Sequence, residues 1–225
     1  MSTSNKKKKN IPRVLVTAGP TIEPLDPIRF ISNYSTGTLG YEIAREGKRQ
    51  GFEMCLISGP VGLDAGLGIK VINVTTAKEM EKAVLEKIDK HDCIIMTAAV
   101  SDFRAEKIEK NKIKKKDRLR INLVKNTDIL SKIGAKKNII KVGFALETER
   151  PVENGKKKLE AKKLDFIVVN EKKRGKNPFG AGKKDYMVIG AASGKKEQFK
   201  SITKKKMAKI ILRVVKNAVT VRNKR

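Results

Sequence analysis

The chain has 225 residues, 34% charged and 39% hydrophobic, and its 52 Lys and Arg against 24 Asp and Glu give a formal net charge of +28. At roughly 100–200 residues per domain this suits one large domain, or one with a small appendage. The apolar run Cys93–Val100 is far too short to span a bilayer, and the first ten residues lead into a stretch broken by Pro and charge, not into the apolar segment of a signal peptide. Two cysteines and one histidine leave no material for a disulfide framework or a Cys/His zinc site, so a cytoplasmic protein is expected, with no membrane partner. The basic excess attracts anions without choosing among them. Its lysines are scattered over Lys6–Lys9, Lys112–Lys116, Lys156–Lys158, Lys172–Lys173 and Lys204–Lys206, and with no Trp and few other aromatic residues there is little to stack on bases; solvated faces are expected in place of a nucleic-acid surface.

In chain order, residues 1–12 form a basic tail. Arg13–Thr17 is a β-branched run ended by Ala18-Gly19-Pro20 and reads as a buried strand. Gly37-x-x-Gly40 opens a helix with Leu39, Ile43, Ala44 and Gly47 at near-helical spacing, closed by Gly51. Phe52–Ser58 and Ile69–Val74 read as the next strands. Thr76-Ala77-Lys78-Glu79 is a capping-box pattern ahead of a helix with Met80, Val84 and Ile88 on one stripe. Asp92–Thr97 is the fourth strand, and strands alternating with such helices imply a mainly parallel sheet. Glu106–Arg120 carries six lysines without a period and reads as a mobile basic loop or flap. An extra strand at Leu119–Val124 and a short helix at Thr127–Ile133 follow, then core strands Ile139–Ala145 and Phe166–Asn170 around a Lys-rich helix from Pro151 to Lys163. Asp185–Gly190, Lys196–Lys200 and a helix bearing Met207, Ile210, Ile211, Val214 and Ala218 close the chain, with Val219–Arg225 expected to fray. The expected fold is α/β and Rossmann-like: a core over 13–170 with flanking helices, and a small C-terminal hairpin and helix over 171–225, in one domain.

The densest motif is Thr17-Ala18-Gly19-Pro20-Thr21-x-Glu23-Pro24-x-Asp26-Pro27-x-Arg29-x-Ile31-Ser32-Asn33-Tyr34-Ser35-Thr36-Gly37-x-x-Gly40. A loop leaving the first strand and closing on a helix N-terminus offers free backbone N–H groups and the positive end of the dipole, which suits phosphate. It is not Gly-x-Gly-x-x-Gly, and the second strand ends in Leu56-Ile57-Ser58 without the acid that binds an NAD ribose, which counts against a nicotinamide-dependent reductase.

This run resembles the N-terminal signature of the phosphopantothenoylcysteine synthetase family. Further blocks follow in the family's order: Ala98-Ala99-Val100-Ser101-Asp102-Phe103-Arg104, Lys112-Ile113-Lys114-Lys115, Lys125-Asn126-Thr127-Asp128-Ile129-Leu130, Gly143-Phe144-Ala145-x-Glu147 and Lys162-x-x-Asp165. The resemblance implies a stand-alone ligase that condenses 4′-phosphopantothenate with cysteine through an acyl-cytidylate, consuming CTP with Mg²⁺ and releasing CMP and pyrophosphate. It also implies a homodimer and a separate decarboxylase acting next. Matched positions give Asn33 and Lys112 as catalytic, and Asn33 and Arg29 as substrate-binding. They give Ser35, Gly37, Gly40, Ala98, Ala99, Asp102, Lys112, Thr127, Asp128, Ile129, Leu130, Phe144, Lys158 and Lys162 as nucleotide-binding, with no side chain assigned to a metal. Cys55, Cys93 and His91 are assigned to structure. Thr36 stands where the family commonly has serine and Thr127 where it has proline. The family's Phe-x-x-Asp-x-Asn reads here as Phe179-Gly180-Ala181-Gly182-Lys183-Lys184. The alternatives are a reductase of related fold and a basic RNA-binding module.

Overall fold

The computed structural model describes residues 11–115, 117–171, 179–192 and 194–222. Most of the basic tail (residues 1–10), Lys116, the Lys172–Lys173 pair and the Asn177 end of the segment before the C-terminal hairpin lie outside them. Strands β1 (Arg13–Ala18), β2 (Ile22–Pro24) and β3 (Phe30–Ser32) precede helix α1 (Thr38–Arg49). Next come β4 (Glu53–Ser58), β5 (Lys70–Asn73), α2 (Ala77–Lys87), β6 (Cys93–Met96), β7 (Phe103–Ala105) and β8 (Leu123–Lys125). The chain then forms α3 (Ile129–Ile133), β9 (Ile140–Glu147), α4 (Pro151–Ala161), β10 (Phe166–Glu171), β11 (Lys184–Gly190), β12 (Lys196–Ile202) and α5 (Lys204–Arg222).

Eight strands form one sheet in the order β12-β11-β10-β9-β6-β1-β4-β5. From β5 to β10 every pairing is parallel, whereas β11 and β12 join antiparallel. The expected C-terminal hairpin thus extends the parallel sheet edge-on. The central strands are apolar on both faces because both are covered. On one face Val14, Val16, Leu56 and Ile95 pack with Ile43 of α1 and Met207, Ile211 and Val215 of α5. On the other, Leu15, Ile57 and Ile94 pack with Met80 and Val84 of α2, Ile133 of α3 and Leu159 of α4. The outer strands β5 and β12 are mostly exposed and carry Lys70, Lys196 and Lys200.

Local chemistry sets the helix ends. Thr76 caps α2 by accepting the Glu79 N–H at 3.2 Å, while Glu79 reaches back to the Thr75 N–H at 2.8 Å, one residue before the position that a standard capping box uses. Buried Glu23 accepts the Ala77 N–H at 2.9 Å and so fixes β2 to the same helix. At the end of α1, buried Glu46 holds Arg49 and Gln50; the Arg49 guanidinium does most to keep its carboxyl at about 2. No helix among the described residues is long and apolar enough to cross a membrane.

Three sequence expectations change. Val219–Arg222 stays helical, because Val219 is buried against the core and Arg222 pairs with Asp165 at 3.6 Å. The strand expected at Leu119–Val124 occupies Leu123–Lys125, where Phe103–Ala105 supplies its antiparallel partner. The basic Glu106–Arg120 loop is tied down: Ile113 donates its N–H to Asp26 at 3.0 Å, its carbonyl accepts from Arg29, and Glu109 N–H bonds Leu25 O at 2.9 Å.

Candidate active site

The chain runs from β1 outward to β4 and β5, then returns to β6 on the other side of β1, so strand order reverses between β1 and β6. Beyond the carboxyl ends of strands at such a reversal lies the ligand crevice of an open α/β sheet. A cleft of about 490 Å³ opens there. Its floor is stitched by Thr97 N–H to Thr17 O at 3.1 Å, Thr97 Oγ1 to Thr17 O at 2.7 Å and Ala99 N–H to Gly19 O at 2.9 Å. Helix α1 starts directly on this floor. A Cβ at Gly40 would lie 2.5 Å from Ala18 Cβ and 2.6 Å from Thr97 Oγ1, so only glycine admits the approach. Gly37, at φ +71°, turns the chain into the helix. The first turn of α1 has neither a side-chain cap nor an acid, which leaves its N–H groups for an anion.

The opposite wall comes from α3 and α4. Asp128 caps α3 by accepting the Ser131 N–H at 3.1 Å and also pairs with Lys162 at 2.7 Å. Burial alone would raise its carboxyl, but Lys162 and the Ser131 N–H outweigh that and hold it below the usual value. Lys158 lies one turn before Lys162 on the same helix face; burial, then the charge of Lys162, pushes its ammonium down. Asn126, buried, donates to Ser101 O at 2.9 Å and its N–H bonds Asp102 O at 2.8 Å, locking the loop after β6 to the entry of α3. Phe144 and Ala98 complete the apolar lining.

Every expected nucleotide position but one lines this cleft: Ser35, Gly37, Gly40, Ala98, Ala99, Asp102, Thr127, Asp128, Ile129, Leu130, Phe144, Lys158 and Lys162. Lys112 stands apart, exposed beside a second hollow lined by Leu25, Glu106, Ile113 and Asn122. Arg29 is spent on Asp26 at 3.2 Å and on Ile113 O. Asn33 lies on the rim, donating to Ala99 O at 3.0 Å. Sequence reasoning gave no role to Asn126, Phe179, Tyr186 or Lys204, all of which line the cleft. Asn126 falls inside a matched motif, whereas Tyr186 sits in an apolar strand and Lys204 in a lysine run. Ser58, where an NAD-binding acid would stand, is buried and bonds Tyr41 and Gly59 O. Cys93 is sealed in the core, where burial raises its thiol well above normal, and Cys55 is also buried and raised. No three His, Cys, Asp or Glu among the described residues gather as a metal cage.

Sequence and structure comparisons agree with this fold. Residues 10–219 match the family model described as the DNA/pantothenate metabolism flavoprotein C-terminal domain. The coenzyme A biosynthesis bifunctional protein CoaBC of Bacillus subtilis is 44% identical over 171 residues, 75% of this chain and 42% of that protein. Its Escherichia coli counterpart is 43% identical over 164 residues, 70% and 40% respectively. The chain therefore spans less than half of these curated relatives. The crystal structure of the C-terminal domain of a CoaBC protein superposes with a TM-score of 0.80 at 32% identity, covering 95% of this chain and 97% of that one. With its glycine turn, its switch-point cleft and a family match running nearly end to end, the chain belongs to the DNA/pantothenate metabolism flavoprotein C-terminal domain family.

Proposed function

We propose that the chain is a phosphopantothenate–cysteine ligase that activates its substrate with CTP. The observation that carries the reading is the convergence of the matched nucleotide positions, from five separate stretches of sequence, on one cleft at the sheet's reversal. The names of the bifunctional relatives, which place them in coenzyme A biosynthesis, support it. In the first half-reaction an oxygen of the 4′-phosphopantothenate carboxylate attacks the α-phosphorus and pyrophosphate leaves. In the second, the cysteine amine attacks the acyl carbon, CMP leaves, and the amine proton passes to solvent. A carboxylate is already nucleophilic, so positioning and charge neutralisation suffice.

The uncapped first turn of α1 receives phosphate, and Lys158 and Lys162 neutralise charge from the opposite wall. Asn33, whose amide both donates and accepts, orients the acyl carbonyl at the rim, and Lys112 reaches the triphosphate when the ties of Ile113 to Asp26 and Arg29 release its loop. Mg²⁺ is normally held by one or two carboxylates plus substrate phosphates. Asp102, which lines the cleft and pairs with no cation at salt-bridge distance among the described residues, fits that role. When bound, the ion neutralises phosphate charge.

We further place a homodimer interface on the ribbons β2–β3 and β7–β8, which expose Phe30, Phe103 and Leu123 next to Arg29 and the Lys112 loop. The substrates are small molecules of the cytoplasm, and a separate decarboxylase consumes the product. The test is release of CMP and pyrophosphate that requires both 4′-phosphopantothenate and cysteine. Tight NADPH binding without any response to CTP would overturn the assignment. In Asn33→Asp, which cannot donate, the acyl-cytidylate should accumulate and be visible by mass spectrometry of the quenched reaction.

A further inference from the structure

Tyr186 has no part in the chemistry above, yet it is the one tyrosine of the cleft wall. It sits on β11 opposite Asn170 of β10 and Phe199 of β12, and is 5% exposed, with the exposed remainder facing the cleft that it lines. Among the described residues its hydroxyl has no hydrogen-bond partner. Unlike Ser101 Oγ, which is sealed from solvent without a partner, the Tyr186 hydroxyl still meets solvent, so a ligand in the cleft can replace water as its acceptor. Burial pushes the phenol up to about 12, which keeps it a neutral donor at physiological pH.

Independent features meet at the same end of the cleft. The Phe179 carbonyl accepts Thr36 Oγ1 at 3.2 Å and Lys204 Nζ at 2.8 Å, tying the entry of α1 to the first residue of α5. Helix α5 opens with Lys204-Lys205-Lys206 and no acid in its first turn, a charge pattern that opposes the helix dipole and that a bound anion relieves. Lys204 is half-buried, and burial followed by the like charge of Lys184 pushes its ammonium down. It gives one of its three donors to Phe179 and keeps others for a ligand.

Building on the nucleotide reading, we propose that Tyr186 and Lys204 form a phosphate subsite that holds the outer phosphates of a nucleoside triphosphate. The nucleoside and its inner phosphate then lie toward α3 and α4, where Phe144, Ile129 and Leu130 supply apolar surface and Lys158 and Lys162 neutralise the inner phosphate. The family's aspartate and asparagine in the preceding segment give way here to Gly182 and Lys184, a change toward positive charge, and the Lys184 charge acts on Lys204.

The test is calorimetric titration of the full chain with CTP, CMP and inorganic tripolyphosphate. Tyr186→Phe removes one oxygen and keeps the ring, so its melting temperature should equal or exceed that of the parent. It should bind CTP and tripolyphosphate about tenfold more weakly and CMP equally well, the loss of one hydrogen bond to a charged acceptor. Lys204→Gln should show the same selectivity, whereas Lys205→Gln, exposed on the same helix, should match the parent and exclude an effect of bulk charge. Unchanged CTP binding by Tyr186→Phe would return the tyrosine to the core, and equal losses for CMP and CTP would overturn the outer-phosphate assignment. A parent chain that binds tripolyphosphate but not CTP, with Tyr186→Phe still weakened, would overturn the nucleotide reading and leave the subsite standing.

Discussion

The two ends of the short helix α3 treat a buried and a half-buried lysine in opposite ways. At its C-terminus Lys141, 5% exposed near the start of β9, donates to Gly134 O at 2.8 Å and Lys136 O at 2.9 Å, so the ammonium is consumed in holding the helix end against the sheet. At its N-terminus Lys158 faces the cleft, its ammonium without a hydrogen bond or ion pair among the described residues, beside the Lys162–Asp128 pair. Burial lowers both ammonium groups. What separates them is whether the protein itself supplies acceptors: a satisfied buried cation is architecture, and an unsatisfied one waits for an anion.

The sharpest way to break this contrast is to remove each charge. Lys141→Met keeps the volume but strands the buried Gly134 carbonyl and the half-buried Lys136 carbonyl, at up to about 1–3 kcal/mol each, offset in part by relief of the ammonium's desolvation. A net loss of about 2–4 kcal/mol is expected in urea unfolding, with CTP affinity of the folded fraction little changed. Lys158→Met should behave in reverse, with unfolding midpoints equal or higher and CTP binding weaker by about 1–4 kcal/mol, the range for one charge about 4 Å from a phosphate. If the two variants exchange these outcomes, the division between architecture and site fails.

A smaller effect concerns Asp128. Its folded carboxyl lies below its ordinary value of 3.8, so it binds a proton less readily in the native state than when unfolded. Its contribution is therefore complete above about 3.8 and is lost as pH falls through that value toward the lower folded one. Asp128→Asn keeps the helix cap and drops the ion pair, so it should cost about 0.5–1 kcal/mol at neutral pH. The gap from the parent should close on acidification; a gap constant down to pH about 2 would show that the ion pair is not its source.

Strands β1, β4, β6, β9 and β10 were legible from sequence to within a few residues because buried parallel strands are nearly continuous apolar runs. The ribbons β2–β3 and β7–β8 were not, since three-residue strands with exposed Phe30 and Phe103 and with Pro24 carry no alternation. The matched blocks identified most of the cleft, but spacing could not say that Lys112 stands away from it, because loop position depends on the tie between Ile113 and Asp26, 87 residues apart in sequence. Lys141 left one signal, a lone lysine inside Ile139–Ala145, whereas Tyr186 left none: an aromatic in an apolar strand reads as core, and only the cleft beside it shows that its hydroxyl is open.

The lysines on β5 and β12 carry a consequence for how the molecule avoids its own kind. An outer strand is a template on which another chain's strand can add, and repeated addition leads to fibres. Here both templates are guarded, β5 by Lys70 and β12 by Lys196, Lys200 and the register break between Lys184 and Tyr186, so a newcomer would have to desolvate ammonium groups and follow an irregular ladder. Growth of the sheet is closed at either margin, and a concentrated solution of the protein should stay free of thioflavin-positive aggregate until those lysines are replaced by apolar residues.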